Sequence, residues 1–271
     1  AICSGASTNI VLQSAYFPNN EITLEIIGVT SNGNITGASA VGTQFSKSEI
    51  INDILINNSN VSDTIRYEIQ ISYNGVCLGE TDIIEVAVNP KPSVSATVAD
   101  PLICNNETTD ISLNDPLGVT GTTFSWIALP EAGIVGASSA SGNTINQTLE
   151  NTVAPYSVKE VIYQITSQSP VGCVSNTIEA LIKVNPELIA DAGLDQDLCD
   201  GGTITIGGSP TARGGVGTYL YSWTGPADTD FVSSKNIANP NVEPGALGIS
   251  TYTVQVEDAN NCLSNIDAVD I

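Results

Sequence analysis

Hydrophobic and polar residues alternate over short stretches of this chain, which is the two-residue period of a β-strand with one buried face. The alternation is clearest in five segments: Glu21 to Val29, Arg66 to Ser72, Ile83 to Val88, Val94 to Val98 and Thr251 to Glu257. Turns rich in Gly, Asn and Pro separate them. No segment sustains the 3.6-residue apolar period of a helix, so the pattern predicts an all-β protein whose antiparallel sheets pack face to face.

The strand pattern recurs along the chain at a fixed offset. Tyr67, Tyr163 and Tyr252 are each followed by a cysteine ten residues later. In the first two copies a Val-Asn-Pro ends thirteen residues after that cysteine, at Pro90 and Pro186. A repeat of this kind indicates a tandem array, and its length suits small β-sandwich domains of about 90 residues arranged end to end. The expected domains are 1–91, 92–187 and 188–271.

The first repeat differs from the other two at its start and in its core. Twelve residues separate Pro92 from Cys104, enough for a leading strand, whereas only two residues precede Cys3. We therefore expect the first domain to lack its opening strand, and either to expose a sheet edge or to be covered there by another segment. Its Leu24-Glu25-Ile26 also stands where the later repeats have an aromatic-Ser-Trp sequence, so its core must be filled by other side chains.

Aromatic residues at matching positions are expected to fill the cores. Trp126 and Trp223 lie on predicted strands, where a sandwich buries its largest side chain near its disulfide. The alternative is an exposed aromatic surface that binds sugars. Tyr67, Tyr163 and Tyr252 are likewise expected in the cores or at their corners, with each hydroxyl bonded to the backbone.

Six cysteines fall two to a repeat. Six cysteines permit 15 pairings, and the repeat favours the one that closes a disulfide inside each domain. Free buried thiols and a metal site are the alternatives, but neither histidine nor the CxxC spacing typical of metal sites is present. Disulfides imply an oxidising, extracytoplasmic compartment. The expected pairs are Cys3 with Cys77, Cys104 with Cys173 and Cys199 with Cys262.

Charge and composition exclude several functions. The chain has 29 acidic and 7 basic residues, a net charge of −22, which argues against nucleic acid or an anionic membrane surface as partner. No apolar run approaches the ~18 residues of a membrane span. Methionine is absent, and we therefore interpret the chain as a mature or excised segment.

With no histidine and no cysteine expected to be unpaired, the chain lacks the usual nucleophiles and bases, so we predict that it is not an enzyme.

Calcium is the single candidate cofactor. Asp191, Asp195 and Asp197 follow the second linker at spacings of four and two, and together with Asp200 or Asp258 they could share one hard cation. The alternative is an Asp-rich turn without metal, since no DxDxDG loop is present. A junction calcium ion would stiffen the array and relieve its acidic repulsion.

Two stretches resemble a known family. The first is the Tyr-x-Ile-x-x-x-Ser-x-x-Gly-Cys that starts at Tyr163, with its later Val-Asn-Pro, and the second runs from Asp191 to Cys199 and continues Asp-Gly-Gly-Thr. They resemble the PKD-like, immunoglobulin-like repeats of large surface proteins in Bacteroidota, including gliding-motility adhesins exported by type IX secretion. Asp63-Thr64-Ile65 is similar to the O-glycosylation acceptor pattern of the same bacteria, which makes Thr64 a candidate modification site.

The resemblance implies a non-catalytic stalk segment of a cell-surface adhesin or gliding filament, located outside the cell and associated with the outer membrane. Its partners would be neighbouring repeats of the same chain, with surface polysaccharide or substratum as candidates for the adhesive region that it extends. Two alternatives remain open at this point: a carbohydrate-binding or other ligand-binding module, and accessory repeats of a secreted hydrolase.

Overall fold

The computed structural model describes residues 1–13, 22–152 and 156–271, and these form strands joined by turns and loops, with one short 3-10 helix. Three hydrophobic cores follow one another along the chain, centred on Tyr67, Tyr163 and Tyr252. The protein is therefore a tandem array of three immunoglobulin-like β-sandwich domains, as the alternation and the repeat predict. None of the helical structure in the described ranges is long and apolar enough to cross a membrane.

The first domain is built on a five-stranded sheet in the order β1-β9-β8-β3-β5, with the pairs β2-β6 and β4-β7 opposite it. Strand β1 runs parallel to the end of β9, and the long strands β3, β8 and β9 are antiparallel. Glu21, the first residue of a predicted strand, lies outside the described residues. The strands are β1 Ile2–Cys3, β2 Ile10–Val11, β3 Ile22–Thr30, β4 Ile35–Thr36, β5 Gln44–Ser46, β6 Ile50–Ile51, β7 Ile56–Asn57, β8 Asp63–Tyr73 and β9 Cys77–Asn89.

The second domain repeats this plan. Its five-stranded sheet has the order β11-β20-β19-β14-β16, and the three-stranded sheets β10-β13-β17 and β12-β18-β15 complete the sandwich. Strand β11 runs parallel to the end of β20, as β1 does to β9. The strands are β10 Ser95–Val98, β11 Leu102–Ile103, β12 Glu107–Thr108, β13 Ile111–Asn114, β14 Thr123–Pro130, β15 Ile134–Val135, β16 Ala140–Ser141, β17 Thr144–Ile145, β18 Thr148–Asn151, β19 Lys159–Gln168 and β20 Ile178–Val184.

The third domain has a three-stranded sheet, β24-β26-β27, and the pairs β21-β23 and β22-β25. A short 3-10 helix, Asp228–Asp230, follows β24. Strand β26 has the bounds that the alternation predicts. The strands are β21 Leu188–Ala190, β22 Ile204–Thr205, β23 Ala212–Gly214, β24 Leu220–Thr224, β25 Asn241–Val242, β26 Thr251–Glu257 and β27 Asp267–Asp270.

Both tryptophans lie in the cores, which confirms the packing prediction. Trp126 is 6% exposed and Trp223 is 1% exposed. Each indole Nε1 donates a hydrogen bond to a backbone carbonyl, of Ser138 and Ile237 respectively, at 3.0 and 3.1 Å. A buried N–H needs such a partner, because an unpaired one would retain the cost of leaving water. In the first domain, where no tryptophan occurs, Leu24 and Ile26 are buried in its place, as expected.

The three repeated tyrosines are fully buried, but their hydroxyls bond to side chains, so the expectation of backbone partners is wrong. Tyr67 donates to Asp53 at 2.6 Å, Tyr163 to Gln147 at 2.9 Å and Tyr252 to Asp230 at 3.2 Å. Each partner comes from a segment on the opposite side of the core, which no local pattern around the tyrosine reveals.

Burial raises the pKa of Tyr163 to about 12. Burial, followed by the charge and hydrogen bond of Asp230, raises the pKa of Tyr252 to about 12. Burial and Asp53 raise the pKa of Tyr67 as well. In the unfolded chain a tyrosine titrates near ~10. Above that pH the unfolded state loses protons that the folded state keeps, so the free energy of unfolding falls as the pH rises.

We therefore expect the urea midpoint of each domain's transition to be flat up to about pH 10 and to fall between roughly pH 10 and pH 12. Free thiols should be blocked with iodoacetamide beforehand, since they would otherwise exchange with disulfides at this pH. The Tyr163→Phe variant should show a shallower fall over the same interval. A midpoint that stays constant through pH 12 would contradict the assignment.

Candidate functional site at the domain joints

Two disulfides cross the joints between domains. Cys3 of the first domain is bonded to Cys173 of the second, and Cys104 of the second is bonded to Cys262 of the third, each with a Cα–Cα distance of 5.6 Å. This spacing is ordinary for a disulfide. Each joint therefore has two covalent connections: the backbone linker, and a bridge from the first cysteine of one repeat to the second cysteine of the next.

The predicted pairing inside each domain is wrong: Cys3 is not bonded to Cys77, nor Cys104 to Cys173, nor Cys199 to Cys262. The reason is geometric, and strand β9 shows it. Cys77 begins this strand, whereas Cys3 is paired with Asn89 at its end. A strand of this length spans about 40 Å, far beyond the ~7 Å between Cα atoms that a disulfide allows. The two cysteines of a repeat lie at opposite ends of their domain.

The first cysteine of every repeat begins the same turn, which we call the first-cysteine turn. The cysteine carbonyl accepts a hydrogen bond from the backbone N–H three residues later, at 2.9 Å, 3.2 Å and 2.9 Å in the three repeats. The third residue of each turn is left-handed, with φ between 65° and 86°, a conformation that Gly and Asn adopt at low cost. The three turns are Cys3–Ala6, Cys104–Glu107 and Cys199–Gly202.

The second cysteine of every repeat ends a tight hairpin, which we call the second-cysteine hairpin. In the second and third domains its N–H donates to the side chain four residues earlier, to Ser169 Oγ at 3.1 Å and Asp258 Oδ1 at 3.0 Å. In the first domain Tyr73 and Cys77 are paired across the same four-residue offset. The three hairpins are Tyr73–Cys77, Ser169–Cys173 and Asp258–Cys262.

Polar contacts accompany the disulfide at the second joint. The side chain of Asn185, next to the linker proline and 1% exposed, accepts from Asn260 Nδ2 at 2.8 Å and donates to Cys262 Sγ at 3.0 Å. Asn260 and Cys262 both belong to the second-cysteine hairpin of the third domain. The linker is therefore fixed against the same hairpin that carries the disulfide.

A loop of each preceding domain also touches the next domain. Asn60 donates to the carbonyl of Gly118 across the first joint, at 3.3 Å. Tyr156 lies beside Gly214 across the second joint, where a Cβ on that glycine would be 3.5 Å from the tyrosine ring. Asn60 and Tyr156 each stand seven residues before the core tyrosine of their repeat, so the two joints use equivalent positions.

Cys77 and Cys199 carry free, exposed thiols. They were expected to be bonded within their repeats, and the expectation that the chain has no unpaired cysteine is wrong. Cys173 and Cys262, the bonded counterparts of Cys77, are only 1% and 3% exposed, and Cys3 and Cys104, the bonded counterparts of Cys199, are half-buried.

The three aspartates of the calcium hypothesis are not gathered into a site. Asp191 accepts from the N–H of Gly193 at 2.9 Å, and Asp195 accepts from the N–H of Asp270 at 2.9 Å. Asp197 lies further along, in the segment next to Cys199. Across residues 1–13, 22–152 and 156–271, no three His, Cys, Asp or Glu side chains stand close enough to hold a metal ion together.

Thr64, the candidate glycosylation site, lies on β8 with an exposed side chain, near Thr30, Asn32 and Arg66. Its neighbour Asp63 is buried, 4% exposed, and accepts hydrogen bonds from Asn32 and from the N–H of Thr64. The side chain of Thr64 is therefore accessible on a strand, and its modification stays a prediction.

The position of the second cysteine of a repeat had a signal in the sequence. Thirteen residues of extended chain separate Cys77 from Pro90, which places the second cysteine at the end of its domain away from the linker. The position of the first cysteine had no such signal. The first cysteine reaches the linker end because a two-residue strand pairs in parallel with the last strand, and two residues are too few to show a period.

The PKD-like domain family model matches residues 1–92 and 101–188, together about two thirds of the chain. A search of curated proteins finds no match. The FN1–FN3 domains of chicken CNTN1 are 10% identical with a TM-score of 0.33, over 93% of this chain and 88% of that one. Fibronectin(III)-like modules of Clostridium thermocellum CbhA are 14% identical with a TM-score of 0.27, over 65% and 93%.

A Bacteroides ovatus glucan-utilisation protein, SGBP-B, solved with a mixed-linkage heptasaccharide, is 16% identical with a TM-score of 0.21, over 99% of this chain and 64% of its own. Likeness at these TM-scores says nothing about what this chain binds. The family match covers the first two of the three repeats. The chain belongs to the PKD-like domain family.

Proposed function

We propose that this chain is a non-catalytic structural segment of an extracellular protein, a stiff stalk of three domains bounded at 1–91, 92–187 and 188–271. The observation that carries the proposal is the disulfide across each joint. A flexible tether between independent modules has no use for such a bridge. A stalk that must hold an adhesive region away from a surface requires joints that resist bending.

The joints are suited to that role because each is fixed at two separate points. A short linker with prolines limits backbone rotation, yet a single covalent connection still acts as a hinge. The disulfide adds a second connection away from the linker, so bending the joint requires displacing the hairpin or the turn that it joins. Asn60 and Tyr156 add contacts at further positions around the same joints.

The disulfides and the PKD-like domains fit an extracellular protein. On the sequence resemblance, we place the stalk in a cell-surface adhesin or gliding-motility filament of Bacteroidota exported by type IX secretion. Its partners would be neighbouring repeats, with a polysaccharide or substratum at the adhesive region. The acidic surface, with a net charge of −22, suits a solvated filament whose neighbours repel one another.

The carbohydrate-binding alternative has less support. Exposed Trp or Tyr side chains on a sheet face would have favoured it, and both tryptophans are buried with their indole N–H groups bonded to the backbone. In the accessory-repeat alternative, the catalytic domain of a secreted hydrolase would lie elsewhere in the protein, and these three domains would flank it.

Small-angle X-ray scattering tests the stalk. Three sandwiches of about 30–40 Å each, placed end to end, give a maximum dimension near 100 Å. With its free thiols blocked by iodoacetamide so that copies cannot crosslink, we expect the oxidised chain to fit one rigid rod of that length. The paired variants Cys3→Ser with Cys173→Ser, and Cys104→Ser with Cys262→Ser, should each broaden the distance distribution by freeing one joint while the domains stay folded.

Two controls sharpen this result. Because the aspartates are not gathered, the rod should keep its length in EDTA; a rod that becomes flexible there would restore the calcium hypothesis for Asp191, Asp195 and Asp197. The Cys77→Ser variant, with its remaining free thiol blocked in the same way, keeps both bridges and should scatter like the parent. A compact particle, or a distribution that the paired variants leave unchanged, would overturn the stalk.

A further inference from the structure

The two free thiols occupy positions at which the other repeats are bonded across a joint. Cys199 begins a first-cysteine turn like those of Cys3 and Cys104, which bond to the following repeat. Cys77 ends a second-cysteine hairpin like those of Cys173 and Cys262, which bond to the preceding repeat. The two formed disulfides thus show which partner a first cysteine and a second cysteine each bond to.

We propose that Cys199 and Cys77 are the two open ends of a disulfide ladder, in which Cys199 bonds to the second-cysteine hairpin of a following PKD-like repeat and Cys77 to the first-cysteine turn of a preceding one. The occupant of either end is another repeat of this kind, and a second copy of this chain can supply it. The inference goes beyond the stalk proposal, since it depends on the joint geometry and not on what the array carries.

The surface around Cys199 supports a docked domain. At both joints, the loop ahead of the core-tyrosine strand touches the next domain, through Asn60 and Tyr156. The equivalent loop of the third domain contains Leu247 and Ile249, which are 85% and 81% exposed. With Leu198 and Ile271 they line a cavity of about 250 Å³ beside Cys199. Aliphatic side chains this exposed gain stability when covered.

The surface around Cys77 is apolar as well. Val76 and Leu78 flank the cysteine and are 81% and 69% exposed. Head-to-tail stacking of two chains would bring these aliphatic residues towards Leu247 and Ile249 of the neighbouring copy. Each end therefore presents a free thiol beside exposed apolar side chains, and the head-to-tail contact between them is heterologous.

Closing the bond needs an oxidant, for which a glutathione disulfide is sufficient. The Cys199 thiolate attacks one sulfur of oxidised glutathione and releases one glutathione thiolate. The Cys77 thiolate of the neighbouring copy then attacks the Cys199 sulfur of this mixed disulfide and releases the second glutathione. Two cysteine thiols are oxidised, one glutathione disulfide is reduced, and the two cysteine protons end on the glutathione thiolates.

Two single-thiol proteins test the pairing. Cys77→Ser keeps only Cys199 free, and Cys199→Ser keeps only Cys77 free; one of them carries a small tag so that the products differ in mass. They are mixed in a glutathione redox buffer, with salt raised to screen the acidic charge, and followed by non-reducing electrophoresis. We expect the mixed dimer to form at least ~10-fold faster than either homodimer, because docking raises the effective concentration of the correct thiols.

Mass spectrometry should find the Cys199–Cys77 linkage in the mixed dimer, with Cys3–Cys173 and Cys104–Cys262 intact. Adding Leu247→Ser and Ile249→Ser to the Cys77→Ser protein should remove the rate advantage without changing homodimer formation. If all three dimers form at equal rates, or if the double serine change has no effect, the two cysteines are ordinary exposed thiols and the ladder is wrong. Neither result bears on the stiffness measured by scattering, so the two proposals fail separately.

Discussion

Pulled by its two ends in a single-molecule force experiment, the oxidised chain is expected to extend to a contour length of only about 280 Å, against about 950 Å after reduction, at ~3.5 Å per extended residue. The bridges Cys3–Cys173 and Cys104–Cys262 overlap along the sequence. Once every domain has unfolded, the extension is therefore set by the shortest covalent path between the ends.

That path follows from the positions of the bonded cysteines. Each disulfide joins two points of the chain, so the two disulfides act as two junctions. Three stretches of backbone connect these junctions: 101 positions from Cys3 to Cys104, 69 from Cys104 to Cys173, and 89 from Cys173 to Cys262. The 69-position stretch becomes taut first. With the short ends outside Cys3 and Cys262, the load passes through 80 positions in place of 270.

Removing one bridge gives the decisive comparison. Without Cys104 and Cys262, as paired serine variants, the path runs from Ala1 to Cys3, across to Cys173 and on to Ile271, about 350 Å at ~3.5 Å per residue. Under pairing within repeats, the same variant would keep only a Cys3–Cys77 bridge and extend to about 690 Å. The longer value would refute the bridges across the joints.

The Trp223→Ala variant is expected to lose about 3–5 kcal/mol of the stability of the third domain. Trp223 is 1% exposed, and its removal leaves both a large cavity in the core and the carbonyl of Ile237 without its hydrogen bond. Leu220→Ala provides the matched control, because Leu220 lies on the same strand with 65% of its surface exposed. We expect the control to stay within ~0.5 kcal/mol of the parent.

Hydrogen exchange read by mass spectrometry is the appropriate measurement, since a three-domain chain does not unfold in one two-state step. Protection of Thr251–Glu257 should fall by about two to three and a half orders of magnitude, because 1.4 kcal/mol corresponds to a factor of ten. Lys159–Gln168, the equivalent strand of the second domain, should be unchanged. Equal losses in both strands would mean that the domains unfold as one unit, and no loss in the third would place Trp223 outside its core.

The sequence was sufficient for the fold because the determining signals are local. Period-two alternation identified β26 with its bounds, and the fixed offset from tyrosine to cysteine identified three domains. The burial of Trp126 and Trp223 followed from their places on those strands.

The site depended on tertiary information. The disulfide partners were missed because β1 and β11 are two-residue strands whose parallel pairing moves Cys3 and Cys104 to the linker end of their domains. The hydroxyl partners of the tyrosines were missed because Asp53, Gln147 and Asp230 come from the opposite side of the core. In both cases the contact depends on how distant segments pack, which a local residue pattern does not record.

The overlapping disulfides also change what a protease can do to this chain. Because three stretches of backbone join the two bridges, one cut anywhere between Cys3 and Cys262 leaves at least two of them whole. Ala1 and Ile271 then remain in one covalent molecule. Bridges confined to single domains would leave the linkers at Pro90 and Pro186 as points where a single cleavage separates the chain. With the bridges across the joints, severing it takes three cuts, one in each stretch.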